Sequence, residues 1–184
     1  VGVLAPRLAE LGPAEAQLGE QIVAAVNDAV EQVRALAHGL DPVGLDERGL
    51  PEALEDLARR TEGLSEIPCR LTVRGAATLE EPVATQLYRV AQEAVTNAVR
   101  HAGCTHITMD LRCSEHGVLL RVADDGAGLG APADRGDGMG LRVMRHRARS
   151  VGGRLRIAPS RCGGTAVICT LPAGSGAAVR EETT

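Results

Sequence analysis

Two stretches of apolar and polar alternation limit what this chain can become. In residues 105–113, Ile107, Met109, Leu111 and Cys113 alternate with Thr108, Asp110 and Arg112; in residues 117–123, Val118, Leu120 and Val122 share one face. A period of two places such residues on one side of a pleated strand. Ser114-Glu115-His116-Gly117 is short and turn-prone, so the two strands form a hairpin. The pattern implies an antiparallel sheet with one covered face and one wet face. Helical periodicity supplies the cover. Residues 50–61 turn Leu54 and Leu57 inward, and a segment ending near Ala102 carries Val90, Ala91, Ala94, Val95 and Ala98 on one side. At its start, Thr78-x-x-Glu81 resembles a capping box, and Pro82 is tolerated only in the first turn. Residues 139–151 give a third helix. Residues 67–74, 154–159 and 165–171 read as strands, the last two joined around Cys162-Gly163-Gly164. This order, without strict strand–helix alternation, predicts an α+β two-layer sandwich whose mixed, mostly antiparallel sheet is covered by helices.

The core of such a sandwich has unusual building blocks. There is no Trp, no Phe and one Tyr, Tyr88, so Leu, Val, Ile and Ala must fill it, with Met between them. All basic side chains are Arg, so a phosphate contact from a charged side chain must come from Arg or His. The net charge of −4 shows no basic block, which argues against nucleic acid as a partner. Cys69, Cys104, Cys113, Cys162 and Cys169 lack metal-binding spacing and are expected to be reduced, buried and cytoplasmic. No apolar run approaches the roughly 20 residues of a membrane span. A chain that opens on Val1 is expected to be a fragment, with any membrane anchor in a part preceding it.

Ahead of this domain, residues 15–38 form one helical pattern, with Leu18, Ile22, Val26, Val30, Val33 and Leu36 on a stripe and Gly39 and Pro42 ending it. The stripe alone fits equally a helix packed on the following domain or half of a dimerisation hairpin. Residues 41–49 are a turn-rich connector. The Gly-, Ala- and Ser-rich residues 173–184 are expected to be disordered.

Four local patterns carry chemistry. Glu93, Asn97 and His101 are spaced i, i+4, i+8, with Arg100 one step around; charged stripes are also commonly just solvated. Asp124-Asp125-Gly126-Ala127-Gly128 follows a strand, where a carboxylate can accept from an exocyclic amine and glycines admit a flat ligand, although Asp-Gly is equally an ordinary turn. Gly136-Asp137-Gly138-Met139-Gly140-Leu141 opens a helix, a geometry suited to an anion, or else a plain flexible loop. It fits neither a dinucleotide-binding fingerprint nor a Lys-containing phosphate loop. Gly163-Gly164-Thr165 begins the last strand.

Together these resemble the GHKL ATPases, and among them the two-component sensor histidine kinases. Residues 92–102 are similar to the N box, Asp124-x-Gly126-x-Gly128 to the first glycine box, Gly136-x-Gly138-x-Gly140-Leu141 to the second, and Gly164-Thr165 to the late Gly-Thr. Residues 36–45 and 49–54 resemble the linker of kinases that pair with NarL-like response regulators. The resemblance implies a partial dimerisation region over 1–40, an ATP-binding catalytic domain over 41–172 and a tail over 173–184. It implies ATP and Mg²⁺ as cofactors: Asp124 on the adenine amino group, Asn97 on Mg²⁺, and Arg100 and His101 near phosphate. Gly126, Gly128, Gly136, Gly138, Gly140 and Leu141 would shape the nucleotide-facing loops, with 129–138 as a lid, and Thr165 would support the adenine end through Asp124 or a water. Glu93 is implied in catalysis, as an orienter of Asn97 or Mg²⁺ or as a proton acceptor, a choice left open. The implied reaction is phosphoryl transfer to a histidine and relay to a response regulator receiver domain, from a homodimer. The chain departs from the pattern in one respect: no His-Asp or His-Glu pair is present, and His38 falls in the linker. The acceptor is therefore expected on another segment. An anti-sigma-factor serine kinase or a non-catalytic nucleotide-binding module of the same fold is the alternative.

Overall fold

The computed structural model describes residues 45–128, 139–174 and 177–179. The chain divides into two units, Val1–Pro42 and Val43–Thr184, and every described residue belongs to the second. The helical pattern over 15–38 lies outside the described residues, as do Gly136, Gly138 and the rest of 129–138.

The first helix, α1 (Leu45–Ser65), is kinked where Gly49 takes φ 76° and ψ 174°. Its regular part therefore starts at Leu50, with Pro51 in the first turn, where its missing N–H costs nothing. Leu50, Leu54, Leu57, Ala58 and Thr61 are buried along it, and the Thr61 hydroxyl donates to the Leu57 carbonyl at 2.8 Å. There follow β1 (Cys69–Arg74), β2 (Ala77–Leu79), α2 (Glu81–Asn97) with a π-helical turn (Ala98–Ala102), β3 (Ile107–Ser114) and β4 (Gly117–Asp124). After the undescribed segment come α3 (Met139–Ser150), β5 (Arg154–Pro159), β6 (Thr165–Pro172) and β7 (Ala177–Val179).

The main sheet has the order β1-β3-β4-β6-β5. The hairpin closes at Ser114 opposite Gly117, and its register sets Met109 opposite Val122 and Leu111 opposite Leu120. All four are buried, so the alternating face is the core face. Helices α1, α2 and α3 contribute the other half of the core through Leu54, Leu87, Val90 and Met144. The α+β sandwich is therefore the fold. The pairing of β1 with β3 is parallel, whereas the other neighbours in this sheet are antiparallel.

Three expectations are corrected. Thr78 lies in β2; α2 begins after Glu80 with Pro82 in its first turn, and no side chain caps it. The tail contributes β7, which pairs antiparallel with β2, so the stretch from 173 onward is not structureless throughout. Cys69, Cys104 and Cys169 are buried free thiols, as expected, but Cys113 is half-buried and Cys162 is exposed. Burial pushes the Cys69 and Cys169 thiols up to about 11, which keeps them protonated and inert at neutral pH.

The single aromatic residue sits at the junction of α1 and α2. Tyr88 is 2% exposed, and its hydroxyl accepts from Arg60 Nη2 at 3.0 Å. Replacing Tyr88 by Phe keeps the ring and removes this bond. Because exposed Arg60 can turn to water, the expected loss is about 1 kcal/mol of unfolding free energy, read by urea titration.

Candidate functional site

Asp124 is the last residue of β4, and Thr165, the first of β6, lies directly across from it, one step beyond the pair Ala123 and Ala166. The Asp124 side chain is mostly buried, at 8% exposed. Its Oδ1 accepts two main-chain N–H bonds, from Gly126 at 3.0 Å and Thr165 at 3.1 Å. The carboxylate is thus held from two sides by backbone alone. Thr165 reaches Asp124 through its main-chain N–H.

The glycines around Asp124 are required by space. A Cβ on Gly164 would run into Asp124 Oδ1 and its carbonyl oxygen, and a Cβ on Gly126 would overlap the Ala102 carbonyl. The neighbouring Ala127 N–H donates to that same carbonyl at 2.8 Å. The first glycine box is thereby pinned against the end of α2. Beyond it, Ala127, Gly128, Ile157, Pro159, Ser160, Gly163 and Gly164 line an open cavity of about 270 Å³.

Asp125 turns the other way and clasps the loop before β3. Its Oδ1 accepts from the N–H groups of Thr105 (2.8 Å) and His106 (2.9 Å), and its Oδ2 from the Thr105 hydroxyl at 2.6 Å. The Thr105 hydroxyl, followed by the His106 N–H, holds this carboxyl well below its ordinary pKa of 3.8. The sequence reading gave Asp125 no role, because its partners lie some twenty positions upstream. A depressed folded-state pKa means that the clasp contributes fully above the unfolded value and is lost as pH falls through the acid range. The parent should therefore melt above Asp125→Asn at neutral pH, and the gap should begin to narrow only near the ordinary carboxylate pKa and go on closing as pH falls below it. A gap that is constant with pH in thermal melts would count against this assignment.

Glu93 and Asn97 lie one turn apart on α2, both half-buried, and Asn97 Nδ2 donates to Glu93 Oε1 at 3.4 Å. The amide nitrogen is thereby engaged, and the amide oxygen is the atom suited to a hard cation. The N-terminal turn of α3 comes up to the same pair: a Cβ on Gly140 would meet Glu93 Oε1 and lie 3.6 Å from Asn97 Nδ2. Leu141 packs against the core. Arg147, also on α3, is desolvated and close enough to Arg89 and Glu93 to feel both charges; the net effect, led by burial, lowers its pKa.

The stripe from Glu93 to His101 does not continue as drawn. After Asn97 the helix widens into the π-helical turn Ala98–Ala102, so the α-helical spacing that aligned His101 with Asn97 no longer applies. Arg100 and His101 are both exposed on that turn. Such turns are frequent at functional sites. Gly103 closes the turn in a left-handed conformation (φ 56°). Nothing in the local sequence marks the widening. The structure thus brings Glu93, Asn97 and Gly140 together, and Asp124, Gly126, Gly164 and Thr165 together, with Ala102 packed against the second group.

These residues fit an adenine nucleotide with Mg²⁺. Asp124 is a buried carboxylate set on backbone donors, an arrangement suited to an exocyclic amine, inside a cradle that a Cβ on Gly126 or Gly164 would fill. Among the described residues no group of three or more His, Cys, Asp or Glu could hold a metal alone. A magnesium ion beside Asn97 would thus share its coordination with phosphate oxygens and water, as is usual for that ion.

Comparison with known proteins finds relatives in sequence and in fold. The family model described as histidine kinase-, DNA gyrase B-, and HSP90-like ATPase matches residues 83–175, about half of the chain. The sensor histidine kinase MctS of Rhizobium johnstonii is 37% identical over 147 residues, covering 78% of this chain and 32% of MctS. The sensor protein VraS of Staphylococcus epidermidis is 31% identical over 149 residues, covering 80% of this chain and 42% of VraS. The chain thus spans less than half the length of these relatives. In fold it resembles the ATP-binding domain of PrrB from Mycobacterium tuberculosis, with a TM-score of 0.54 at 23% identity over 67% of this chain and 90% of that one. A mycobacterial sensor histidine kinase, MprB, gives a TM-score of 0.51 at 23% identity, covering 67% and 91%.

Proposed function

Because the chain belongs to the histidine kinase-, DNA gyrase B- and HSP90-like ATPase family, and is an ATP-binding catalytic domain of the sensor histidine kinase kind, we propose that it donates the γ-phosphoryl group of ATP to a histidine nitrogen of its own kinase. The bond from the β–γ bridging oxygen to phosphorus breaks, an N–P bond forms, and the phosphoryl group then passes to an aspartate of a response regulator receiver domain. The observation that carries this reading is the Asp124 carboxylate, buried and fixed by the N–H groups of Gly126 and Thr165. A carboxylate so placed accepts from the adenine amino group and excludes a base that presents a carbonyl there.

In this proposal Asn97, oriented by Glu93, holds Mg²⁺ through its amide oxygen. Mg²⁺ supplies charge neutralisation across the phosphates, and little covalent chemistry is left to the protein. Glu93 is the only carboxylate at this end of the described site, and its hydrogen bond to Asn97 supports the orienting role over proton abstraction. Gly126, Gly128 and Gly164 let backbone approach the base. Gly136, Gly138, Arg100 and His101 are proposed for the phosphate end on sequence grounds. The subfamily is proposed to be that of the NarL-like partners, on the linker residues 36–54. The unit 1–40 is proposed as part of a dimerising helical region, 41–172 as the catalytic domain, and the acceptor histidine is placed on a segment beyond these residues. Among the described residues no helix is long and apolar enough to cross a membrane. The proposed working compartment of the domain is the cytoplasm, where ATP is supplied.

The test uses the full-length protein with radiolabelled ATP and Mg²⁺. Label that is stable to base and lost in acid, and that moves to a receiver domain, is the expected result. Acid-stable label on a serine of a partner would place the chain with the anti-sigma-factor kinases instead.

A further inference from the structure

Helix α3 packs on α2 along Gly140, Met144 and Ala148, one residue per turn. Met144 and Ala148 are 0% and 1% exposed and make ordinary apolar contacts. Gly140 differs. Its backbone lies in α3 and is not left-handed, so nothing in the chain path asks for glycine, and alanine is the better helix former. What excludes a side chain is Glu93: a Cβ at this position would collide with Glu93 Oε1 and contact Asn97 Nδ2 at 3.6 Å. Oε1 is the atom that accepts from Asn97 Nδ2. A methyl group on residue 140 and the amide of Asn97 therefore compete to set the position of one oxygen.

We propose that Gly140 is a positioning residue for the nucleotide site: the space left by its missing side chain seats the Glu93 oxygen that orients Asn97. This rests on the reading of Asn97 as the residue at the metal end. It assigns Gly140 a function separate from any contact of its own with phosphate. It also makes the position of α3 felt at Asn97, since the carboxylate keeps its place only while the start of α3 presents no side chain to it. Because the colliding atom is the end of a flexible side chain, the fold can absorb an added methyl by moving Glu93. The effect should therefore appear in the site and not in stability.

The test is a double-mutant cycle on the 184-residue chain, with ADP titrated calorimetrically in the presence and absence of Mg²⁺ and thermal melts alongside. Gly140→Ala should bind ADP about tenfold more weakly than the parent with Mg²⁺ present, the scale of losing an outer support of a metal ligand. Without Mg²⁺ the two should agree within about twofold, and the variant should melt at or above the parent. In a Glu93→Ala background, adding Gly140→Ala should change ADP affinity by less than about twofold, because the atom it displaces is gone. An equal loss in both backgrounds would overturn the proposal, since glycine would then act on phosphate directly. Unchanged Mg²⁺-dependent binding, or a clear fall in melting temperature, would overturn it as well. A parent that binds no ADP in either condition would sink the nucleotide reading itself, and this inference with it.

Discussion

Asp124→Asn is expected to weaken ADP binding by about 10- to 100-fold while leaving the fold intact. The carboxylate has two duties that an amide cannot combine. Its Oδ1 accepts from Gly126 and Thr165, and the other oxygen faces the base in the proposed complex. An asparagine that keeps its oxygen on the two backbone donors turns its NH₂ toward the adenine amine, donor against donor. Flipped, it opposes its NH₂ to two main-chain N–H groups. Either way a hydrogen bond to a charged group is lost and a polar group is left unmatched, which costs about 1.5–3 kcal/mol. That energy corresponds to roughly the fold-change given. Titration of the variant with ADP checks it. Affinity within twofold of the parent would remove Asp124 from the base-binding role.

The second large effect is expected from Gly164→Ala. Gly164 has φ 66°, and its Cβ would strike Asp124 at both the side-chain and carbonyl oxygens and lie 2.6 Å from the Gly126 nitrogen. Unlike the collision at Gly140, this one is largely with backbone, which cannot swing aside. A left-handed alanine costs about 1–2 kcal/mol, and forced overpacking adds about 1–3 kcal/mol. The melting temperature should fall by about 5–15 °C. ADP binding should also drop below detection, because the same clash unseats the Asp124 oxygen. Gly103→Ala is the control: its φ of 56° carries the same backbone strain, but nothing lies within 4 Å of the added methyl. It should lose only about 1–2 kcal/mol and keep its affinity for ADP. Equal losses at the two positions would mean that backbone strain, not the crowding around Asp124, explains the glycine.

The parts of the fold that were legible in the sequence are those governed by local periodicity. Ile107, Met109, Leu111, Val118, Leu120 and Val122 alternate because one face is buried, and the hairpin turn between them is four residues from strand to strand. Leu54 and Leu57 point inward because their helix is amphipathic. What escaped was set by partners far apart in sequence. The parallel pairing of β1 with β3 depends on a crossover through α2, which no pattern within Cys69–Arg74 announces. β2 and β7 are three-residue strands, too short for alternation to register, and they exist through each other. The π-helical turn at Ala98 broke a stripe drawn on 3.6 residues per turn.

The site divides along the same line. Asp124 was legible because an aspartate at a strand end followed by spaced glycines is a local signature, and Glu93 with Asn97 because i and i+4 are neighbours on any helix. The clasp made by Asp125 was not, since Thr105 and His106 reach it only once the hairpin closes. Nor was the crowding of Asp124 by Gly164, which depends on the register of Ala123 with Ala166. The contact of Gly140 with Glu93 depends on how closely α3 approaches α2, a distance set by packing of Met144 and Ala148.

The account turns on whether the proposed site at Asp124 and Asn97 takes an adenine nucleotide. The most direct measurement is calorimetric titration of this chain with ADP, with and without Mg²⁺, beside GDP. The account expects saturable ADP binding that Mg²⁺ strengthens, and no comparable heat with GDP, whose base presents a carbonyl where Asp124 needs an amine. Equal binding of ADP and GDP, or no binding of ADP at millimolar concentration, would contradict it.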